Sequence, residues 1–303
     1  MESYNNYTKK KTPYYKKKNL KGQDLYNERL SQKNSEILEN WRKEQDKLKE
    51  KLISMDDDEL NYIRYVGGVD ISFDKYDSKV GISALVVCDY KTLEIVYEDY
   101  ELVTIDEPYI PGFLAFREVK HFVKLVNNLK ENHPEYIPQV ILVDGNGIFH
   151  IKGFGLACHL GVLTDLPAIG CGKTVFAVDG ITKKSVEDIN YNYLKKKGDS
   201  YPLNGYSGTK WGYALKSSDD VNEEPMIISM GHKITQDTAL RIVKKTCIYR
   251  IPEPIRLADK ISRRLIFARE NYINKFHKNN WDLKRYLKEK NKYIHGKLYE
   301  DNE

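Results

Sequence analysis

The chain has 303 residues, of which 41% are hydrophobic and 31% are charged, and its formal net charge is +5. A chain of this length can bury a sizeable core as one large domain with extensions. No apolar run approaches the roughly 18 residues of a membrane-spanning helix, and the first residues do not resemble a secretory signal. We therefore expect a soluble monomer without membrane contact, located in the cytoplasm, with the nucleus left open as a second location.

The charge is distributed unevenly along the chain. Residues 1–33 hold nine Lys or Arg against three Asp or Glu, and residues 263–303 hold eleven against six. Basic ends around an acidic centre suit a polyanionic ligand, although lysine-rich tails that are merely solvated explain the same pattern. We predict a basic N-terminal extension without regular structure over 1–33, a basic tail over 278–303, and one folded domain over 34–277.

The predicted elements begin with a helix capped by Asn34 or Ser35. Apolar periodicity then predicts strands at 63–73, 80–89, 93–104, 139–144 and 167–171, with a helix at 113–130 and a short helix within 145–163. A polar insertion at about 179–210 precedes strands near 211–216 and 226–230 and helices at about 235–247 and 254–277. Three meandering strands followed by helix, strand, helix and strand are typical of a ribonuclease H-like α/β fold, a mixed sheet flanked by helices.

Three carboxylates stand out against their apolar surroundings. Asp70 interrupts a strand-like run, Asp144 ends another, and Glu118 lies on the helix that follows the meander. A carboxylate is costly to bury unless a cation offsets its charge, and Mg²⁺ prefers such oxygen ligands. Because parallel strands end at the same edge of a sheet, the fold would bring Asp70 and Asp144 together as a magnesium site.

Basic side chains near these acids are candidates for contact with a phosphate. His150 lies in the loop after Asp144, and Lys173 closes the segment IGCGKT at 169–174. His232 ends a predicted strand, where it would assist a metal-bound water or protonate a leaving oxygen. The segment around Lys173 is not a nucleotide-binding loop, because Pro167 occupies the position of the required first glycine.

A stiff turn at 108–111 presents Tyr109 between two prolines, a geometry suited to filling the gap left by a base that leaves its stack. Glycines on this turn and after the Asp144 strand would let backbone amides approach such a base closely. Tight turns and helix–sheet packing explain most of these glycines equally well.

Together these motifs resemble the endonuclease V family. The resemblance rests on residues 68–73 (GVDISF), 108–118 (PYIPGFLAFRE), 144–150 (DGNGIFH), 153–167 (GFGLACHLGVLTDLP) and 250–259 (RIPEPIRLAD). It covers about 35–270 and makes the folded domain an endonuclease V-like catalytic domain. Residues 158–167 resemble the eukaryotic branch, whose members favour inosine in RNA.

The resemblance implies a metal-dependent endonuclease with Mg²⁺ as cofactor and Mn²⁺ as a substitute. It implies cleavage of the second phosphodiester bond 3′ to inosine, leaving 3′-hydroxyl and 5′-phosphate ends. The expected partner is inosine-containing single-stranded RNA, with deoxyinosine in DNA left open as a second substrate.

Matching the motifs residue by residue assigns roles. Asp70 and Asp144 take the metal, Glu118 is the catalytic acid, Tyr109 is the wedge, and Lys173 and His232 are active-site partners. The hypoxanthine pocket falls to Gly112, Leu114, Gly145, Gly155 and Leu156, with His150 as a further substrate contact. Ile151 departs from the family pattern and leaves the shape of that loop open, and residues 186–205 match nothing in the family.

Two other functions stay open at this point. One is a protein that binds inosine-containing RNA but cuts it weakly or not at all, which the intact acids disfavour. The other is a related nuclease of the same fold, such as a junction resolvase, because a fold alone does not determine its substrate. The wedge and pocket motifs disfavour a resolvase, which has no need to extrude a base.

Overall fold

The computed structural model describes residues 20–108, 110, 112–220, 223–276 and 281–289. The chain separates into two compact units, residues 1–44 and 45–303. Helix α1 (Leu20–Lys49) begins well before the predicted cap at Asn34 or Ser35, so residues 20–33 are helical rather than irregular. This stretch lacks proline and is rich in helix-forming residues, a local preference that its basic composition had obscured. Residues 1–19 of the predicted extension lie outside the described residues.

Residues 45–303 contain an eight-stranded sheet. Its strands are β1 (Tyr65–Phe73), β2 (Val80–Asp89), β3 (Ile95–Thr104), β4 (Val140–Val143), β5 (Ala168–Gly172), β6 (Ser200–Asn204), β7 (Lys210–Leu215) and β8 (Met226–His232). The helices are α2 (Ala115–Asn132), α3 (Leu156–Thr164), α4 (Lys183–Tyr193), α5 (Gln236–Thr246), α6 (Glu253–Phe276) and α7 (Leu283–Glu289). Among the described residues, no helix is both long and apolar enough to cross a lipid bilayer.

The strand order in the sheet is β3-β2-β1-β4-β5-β8-β7-β6. The three central strands β1, β4 and β5 are parallel, and the strands on either side of them pair in antiparallel fashion. The meander β1-β2-β3 and the parallel pairing of β1 with β4 confirm the predicted ribonuclease H-like arrangement.

Two hydrophobic layers cover the faces of this sheet. Alternate residues of β1 and β2 point to opposite sides, as the two-residue period of a strand requires. Val66 and Ile82 pack with helices α5, α6 and α7, whereas Val69 and Leu85 pack with α2 and α3. Strand β2 is therefore buried on both faces and reads as a nearly continuous apolar run. All four cysteines are buried free thiols.

The polar insertion predicted at about 179–210 is instead part of the fold. It contains α4, β6 and the start of β7, which extend the sheet at one edge. Val186, Leu194 and Leu203 are buried in a small core with Phe149. Each of these apolar residues is isolated among polar neighbours, so the segment shows no apolar periodicity. Its burial depends on contacts with residues distant in the chain, which a local pattern does not reveal.

The predicted basic tail also contributes to the core. Trp281, Leu283 and Leu287 are buried in the layer that contains α6, so the folded part of the chain extends beyond the predicted end at residue 277. The seven residues of α7, about two turns, carry too short an apolar pattern to be recognised among lysines. Residues 290–303 lie outside the described residues.

A glycine in β1 allows α6 to approach the centre of the sheet. A Cβ built on Gly68 would lie 2.3 Å from the carbonyl carbon of Pro254 and 2.5 Å from the nitrogen of Ile255, both in the first turn of α6. No side chain fits at that distance, so the absence of one at Gly68 is what lets the two backbones meet. This contact helps to determine where α6 crosses the face of the sheet over β1 and β2.

We expect Gly68→Ala to destabilise the protein by about 3 kcal/mol, because α6 must move away from β1 to make room for the methyl group. The matched control is Gly67→Ala on the same strand, where the new Cβ would meet the Pro138 side chain at 3.1 Å. That contact requires only a small shift, so its cost is expected to be about 1 kcal/mol. Urea unfolding of both variants measures the difference, and equal losses would contradict the close-approach argument.

Candidate active site

The carboxyl ends of three parallel strands form the edge at which the site lies. β1 and β4 run in register with Val69 beside Val143, and β4 and β5 run with Val143 beside Gly170. Asp70 and Asp144 therefore occupy neighbouring positions on adjacent strands. This confirms the proximity that the order of the elements predicted.

Helix α2 brings Glu118 to the same edge. Glu118 lies in the first turn of that helix and only 7% of its surface is exposed. Burial raises the pKa of Glu118 to about 8, reinforced by the negative charges of Asp70 and Asp144 and opposed by Arg117. The carboxyl group is therefore able to hold a proton near neutral pH.

Asp70 is a largely buried carboxylate close to two other negative charges. Burial, followed by repulsion from Asp144 and Asp259, raises the pKa of Asp70 to about 7. The Ser262 hydroxyl of α6 donates to Asp70 Oδ2 at 3.2 Å, and its oxygen lies 2.7 Å from that of Ser72. These hydroxyls orient the carboxylate of Asp70 without neutralising it.

Lys173 follows β5 and supplies positive charge to the cluster. Its Nζ donates to Asp144 Oδ2 at 2.5 Å. The Lys173 side chain is 45% exposed, so its ammonium group is also accessible to an anion that enters from solvent. The structure therefore places Lys173 beside Asp144 and in the lining of the same cavity.

Asp259 is a site residue that the sequence analysis did not select. It lies one turn before Ser262 on α6 and shares a cleft with Asp70 and Asp144. The Arg263 Nε donates to Asp259 Oδ1 at 2.6 Å. The motif at 250–259 ends on Asp259, so the sequence did contain a sign of this residue. The close approach of α6 to β1, which brings Asp259 to the site, is not visible in the sequence.

A cavity of about 400 Å³ opens beside the carboxylates, within the size range of small-molecule sites. Its lining includes all the predicted substrate-binding residues that the structure describes: Gly112, Leu114, Gly145, His150, Gly155 and Leu156. Tyr109, the predicted wedge, lies outside the described residues. Asn146, Phe154 and Phe176 also line the cavity and were not predicted. Asp70, Glu118, Asp144 and Lys173 are also among the lining residues, so the carboxylates form one wall of this cavity.

His150 is a structural part of the cavity wall rather than a cation. Its Nδ1 accepts a hydrogen bond from the Lys152 amide at 3.2 Å, and its ring packs edge-on against Phe176 with centroids 5.3 Å apart. Burial lowers the pKa of His150 to about 4, despite a backbone hydrogen bond with Gly112. The ring is therefore neutral at physiological pH, which disfavours the predicted contact with a phosphate.

The structure contradicts the predicted position of His232. β8 runs antiparallel to β5, so His232 pairs with Ala168 at the start of β5, while the carboxylates lie at the other end of the central strands. His232 Nδ1 accepts from the Ile53 amide at 3.3 Å, and Nε2 lies 3.7 Å from Asp165. His232 lines neither cavity. The prediction failed because the end of a strand indicates a position only when the strand's direction is known.

The chain is similar to known proteins. A family model described as Endonuclease V matches residues 46–260. The chain belongs to the endonuclease V family. Mouse Endonuclease V is 46% identical over 237 residues, covering 76% of this chain and 70% of the mouse protein. Human Endonuclease V is 45% identical over 234 residues, covering 75% of this chain and 83% of the human protein.

Solved structures of the endonuclease V family agree with the fold. The catalytic domain of human Endonuclease V superposes with a TM-score of 0.73 at 42% identity, covering 78% of this chain and 98% of the human one. Endonuclease V of Ciona intestinalis, in complex with a DNA 24mer containing an inosine followed by a ribo-adenosine, gives a TM-score of 0.73 at 35% identity. That match covers 77% of this chain and 99% of the Ciona chain. Family membership makes this chain a nuclease.

The carboxylates of this endonuclease V family member fit a divalent cation. The raised pKa values of Asp70 and Glu118 indicate negative charge that the protein compensates only partly. Within the described ranges, no three His, Cys, Asp or Glu side chains already form a ligand set. Mg²⁺ usually takes one or two carboxylates and fills its other positions with water or phosphate, so Asp70 and Asp144 would suffice.

The buried Glu118 predicts a pH-dependent stability for the metal-free protein. Its pKa is about 8 in the folded state, above the value near 4.5 expected when unfolded, so the unfolded state loses its proton first as pH rises. The free energy of unfolding therefore falls as pH rises from about 4.5 to about 8. In EDTA, Glu118→Gln should be more stable than the parent at pH 8, by on the order of 3 kcal/mol, and much less so at pH 5.

Urea unfolding of both proteins at the two pH values measures this difference. Glu131→Gln, an exposed change on the same helix α2, is the matched control and should behave like the parent at both. The same gain at pH 5 as at pH 8 would show that charge burial is not its cause.

Proposed function

We propose that this protein is a metal-dependent endonuclease that recognises inosine in single-stranded RNA. It cleaves the second phosphodiester bond 3′ to the inosine and leaves 3′-hydroxyl and 5′-phosphate ends. Deoxyinosine in DNA is a second substrate of the same site. The Ciona structure, whose bound DNA contains an inosine followed by a ribo-adenosine, supports a nucleic-acid substrate of this kind.

A single observation carries the proposal. The carboxylates and a cavity large enough for a purine share one wall, so a base held in the cavity places its own strand against the acids. A nuclease that ignored the base would need only the carboxylates at the sheet edge. A protein that only bound the base would have no use for buried, mutually repelling acids beside it.

Asp70 and Asp144 would hold the cation, which is Mg²⁺ or, as a substitute for it, Mn²⁺. When bound, the ion supplies charge neutralisation on the phosphoryl oxygens and lowers the pKa of a coordinated water. Ser262 keeps the Asp70 carboxylate in a fixed orientation through its hydrogen bond to Oδ2. Asp70 lies on β1 and Asp144 directly follows the parallel strand β4, so the pairing of Val69 with Val143 places their backbones side by side.

Glu118 would accept a proton during the reaction, and Lys173 would stabilise negative charge. Burial brings the Glu118 pKa to about 8, close to the pH at which a general base works best, so its carboxylate can accept a proton from the attacking water. As the water oxygen bonds to phosphorus, the bond from phosphorus to the 3′-oxygen breaks, and that oxygen takes up a proton. The partly exposed ammonium of Lys173 stabilises negative charge on the phosphate during this step.

The cavity would select the base by its shape and its apolar lining. Leu114, Leu156 and Phe176 supply apolar surface, and Gly112, Gly145 and Gly155 leave room for the ring. His150 is neutral and held by backbone hydrogen bonds, so it shapes the wall without attracting phosphate into the base site. A flipped purine would be enclosed on its faces while its sugar and phosphate remain near the acids.

Asp144→Asn tests the catalytic assignment. The change keeps the shape of the side chain but removes its charge, so cleavage in Mg²⁺ should fall by on the order of 10³-fold. The measurement is single-turnover cleavage of an RNA with one inosine, in Mg²⁺, in Mn²⁺ and in EDTA, beside the same RNA with adenosine. Asp58→Asn, an exposed change outside both cavities, is the control and should cut like the parent.

Equal cutting of the inosine and adenosine RNAs by the parent protein would refute the base specificity. Tight binding of the inosine RNA without scission in either metal would favour the alternative of an inosine-RNA binding protein. Cleavage that persists in EDTA would refute the metal requirement.

Leu114→Trp tests the cavity as the base site. Leu114 is partly exposed at the cavity lining, so a larger ring there can occupy the cavity without disrupting the core. We expect kcat/KM on inosine RNA to fall at least roughly tenfold, while thermal stability stays near that of the parent. Leu163→Trp, an exposed position on α3 outside the cavity, should leave cleavage unchanged. Full activity of Leu114→Trp would place the base elsewhere.

A further inference from the structure

A second, open cleft of about 580 Å³ adjoins the carboxylates. It shares Asp70, Asp144 and Lys173 with the base cavity, but its other wall is α6 rather than α2 and α3. The two spaces therefore meet at the acids and diverge from there. A strand whose base lies in the cavity and whose phosphate lies at the acids would continue along this cleft.

One face of α6 borders the cleft along its length. Asp259, Arg263 and Phe267 follow one another at four-residue spacing, so they lie on the same side of the helix, about 6 Å apart along its axis. Phe267 is 61% exposed although it is a large apolar ring. It lines the cleft together with Asp70 and Asp144.

The charges of the cleft suit a phosphate chain beyond the acids. The Arg263 side chain is 73% exposed, and its Nε bond to Asp259 orients a guanidinium group that has further N–H donors for a phosphate. Glu270 also lines the cleft, but it accepts from the Lys75 amide at 3.1 Å and its carboxylate lies 3.4 Å from Lys75 Nζ. Its negative charge is therefore offset by a neighbouring lysine.

We propose that this cleft binds the nucleotides on the 3′ side of the cleaved bond, with a base stacked on Phe267 and a phosphate beside Arg263. The inference rests on the proposed function, because the direction of the strand follows from inosine in the cavity and the cleaved bond at the acids. Stacking on an exposed aromatic ring is a common way for proteins to hold single-stranded bases, and it tolerates any base.

A protein partner fits this cleft less well than a strand. Six of its eleven lining residues are charged, and Phe267 is the one exposed side chain among the four apolar ones, Ile71, Phe73, Ile266 and Phe267. The cleft therefore offers far less apolar area than a stable protein interface buries. A nucleic-acid strand uses both features at once, since each of its units carries a flat apolar base and a charged phosphate.

The test compares two RNAs that carry one inosine and are identical on its 5′ side. One ends a single nucleotide beyond the cleaved bond, and the other extends about five nucleotides, enough to cross the cleft. The full chain should cut the longer RNA with the higher kcat/KM. Phe267→Ala should lower kcat/KM on the longer RNA by roughly tenfold and change the shorter one by less than about twofold.

Two further variants separate stacking from a structural effect. Phe267→Trp keeps an aromatic face and should restore preference for the longer RNA. Phe276→Ala removes another half-exposed ring of α6 that does not line the cleft, and it should leave both RNAs unchanged. Equilibrium binding of the two RNAs in EDTA, followed by fluorescence anisotropy, should show the same dependence on Phe267 without any cleavage.

The outcomes distinguish the two proposals. If the full chain cuts neither RNA at inosine, the proposed function fails, and the binding data alone decide the cleft. If it cuts both but Phe267→Ala lowers both equally or neither, the cleft proposal is overturned while the proposed function stands.

Discussion

Repulsion between buried carboxylates is the constraint on which the rest of this structure depends. Asp70 and Glu118 are both largely removed from water and face the negative charge of Asp144. Burying like charges together is unfavourable unless a cation or a proton relieves it. The protein supplies only partial relief, through Lys173 and the hydroxyl of Ser262. Such an arrangement persists only in a scaffold that gains its stability elsewhere and leaves the remaining charge for a ligand to satisfy.

That scaffold is the central parallel sheet and its two hydrophobic layers. The sheet holds the backbones of Asp70 and Asp144 side by side, because Asp70 follows Val69 on β1 and Asp144 follows Val143 at the end of β4, and these two valines are paired. Apolar layers pack on both faces of the sheet, and α6 makes a close contact at Gly68, so this edge rests on a densely packed core. The site is therefore preorganised, and stability lost to charge burial is offset by ordinary core packing far from the chemistry.

The same edge also joins two spaces with different chemistry. The base cavity is lined mainly by apolar side chains and glycines, whereas the cleft along α6 is rimmed by charged groups and one exposed ring. Since Asp70 and Asp144 line both spaces, cleavage takes place where the base cavity meets the cleft for the strand. This arrangement links specificity to cleavage without requiring a moving part, because a strand seated in both spaces must pass the acids.

The sequence alone determined the class of fold, the strand order of the meander and the positions of Asp70, Glu118 and Asp144, because hydrophobic periodicity and strand ends are local properties. Its motifs also identified most of the cavity lining. Only the tertiary structure placed Asp259 beside Asp70, moved His232 to the opposite edge and buried Trp281 in the core. Each of these depends on the direction of a strand or the approach of two elements distant in the chain. Such relations arise from long-range packing, in which a close contact at one glycine or the reversal of one strand decides what meets what, and no local pattern encodes them.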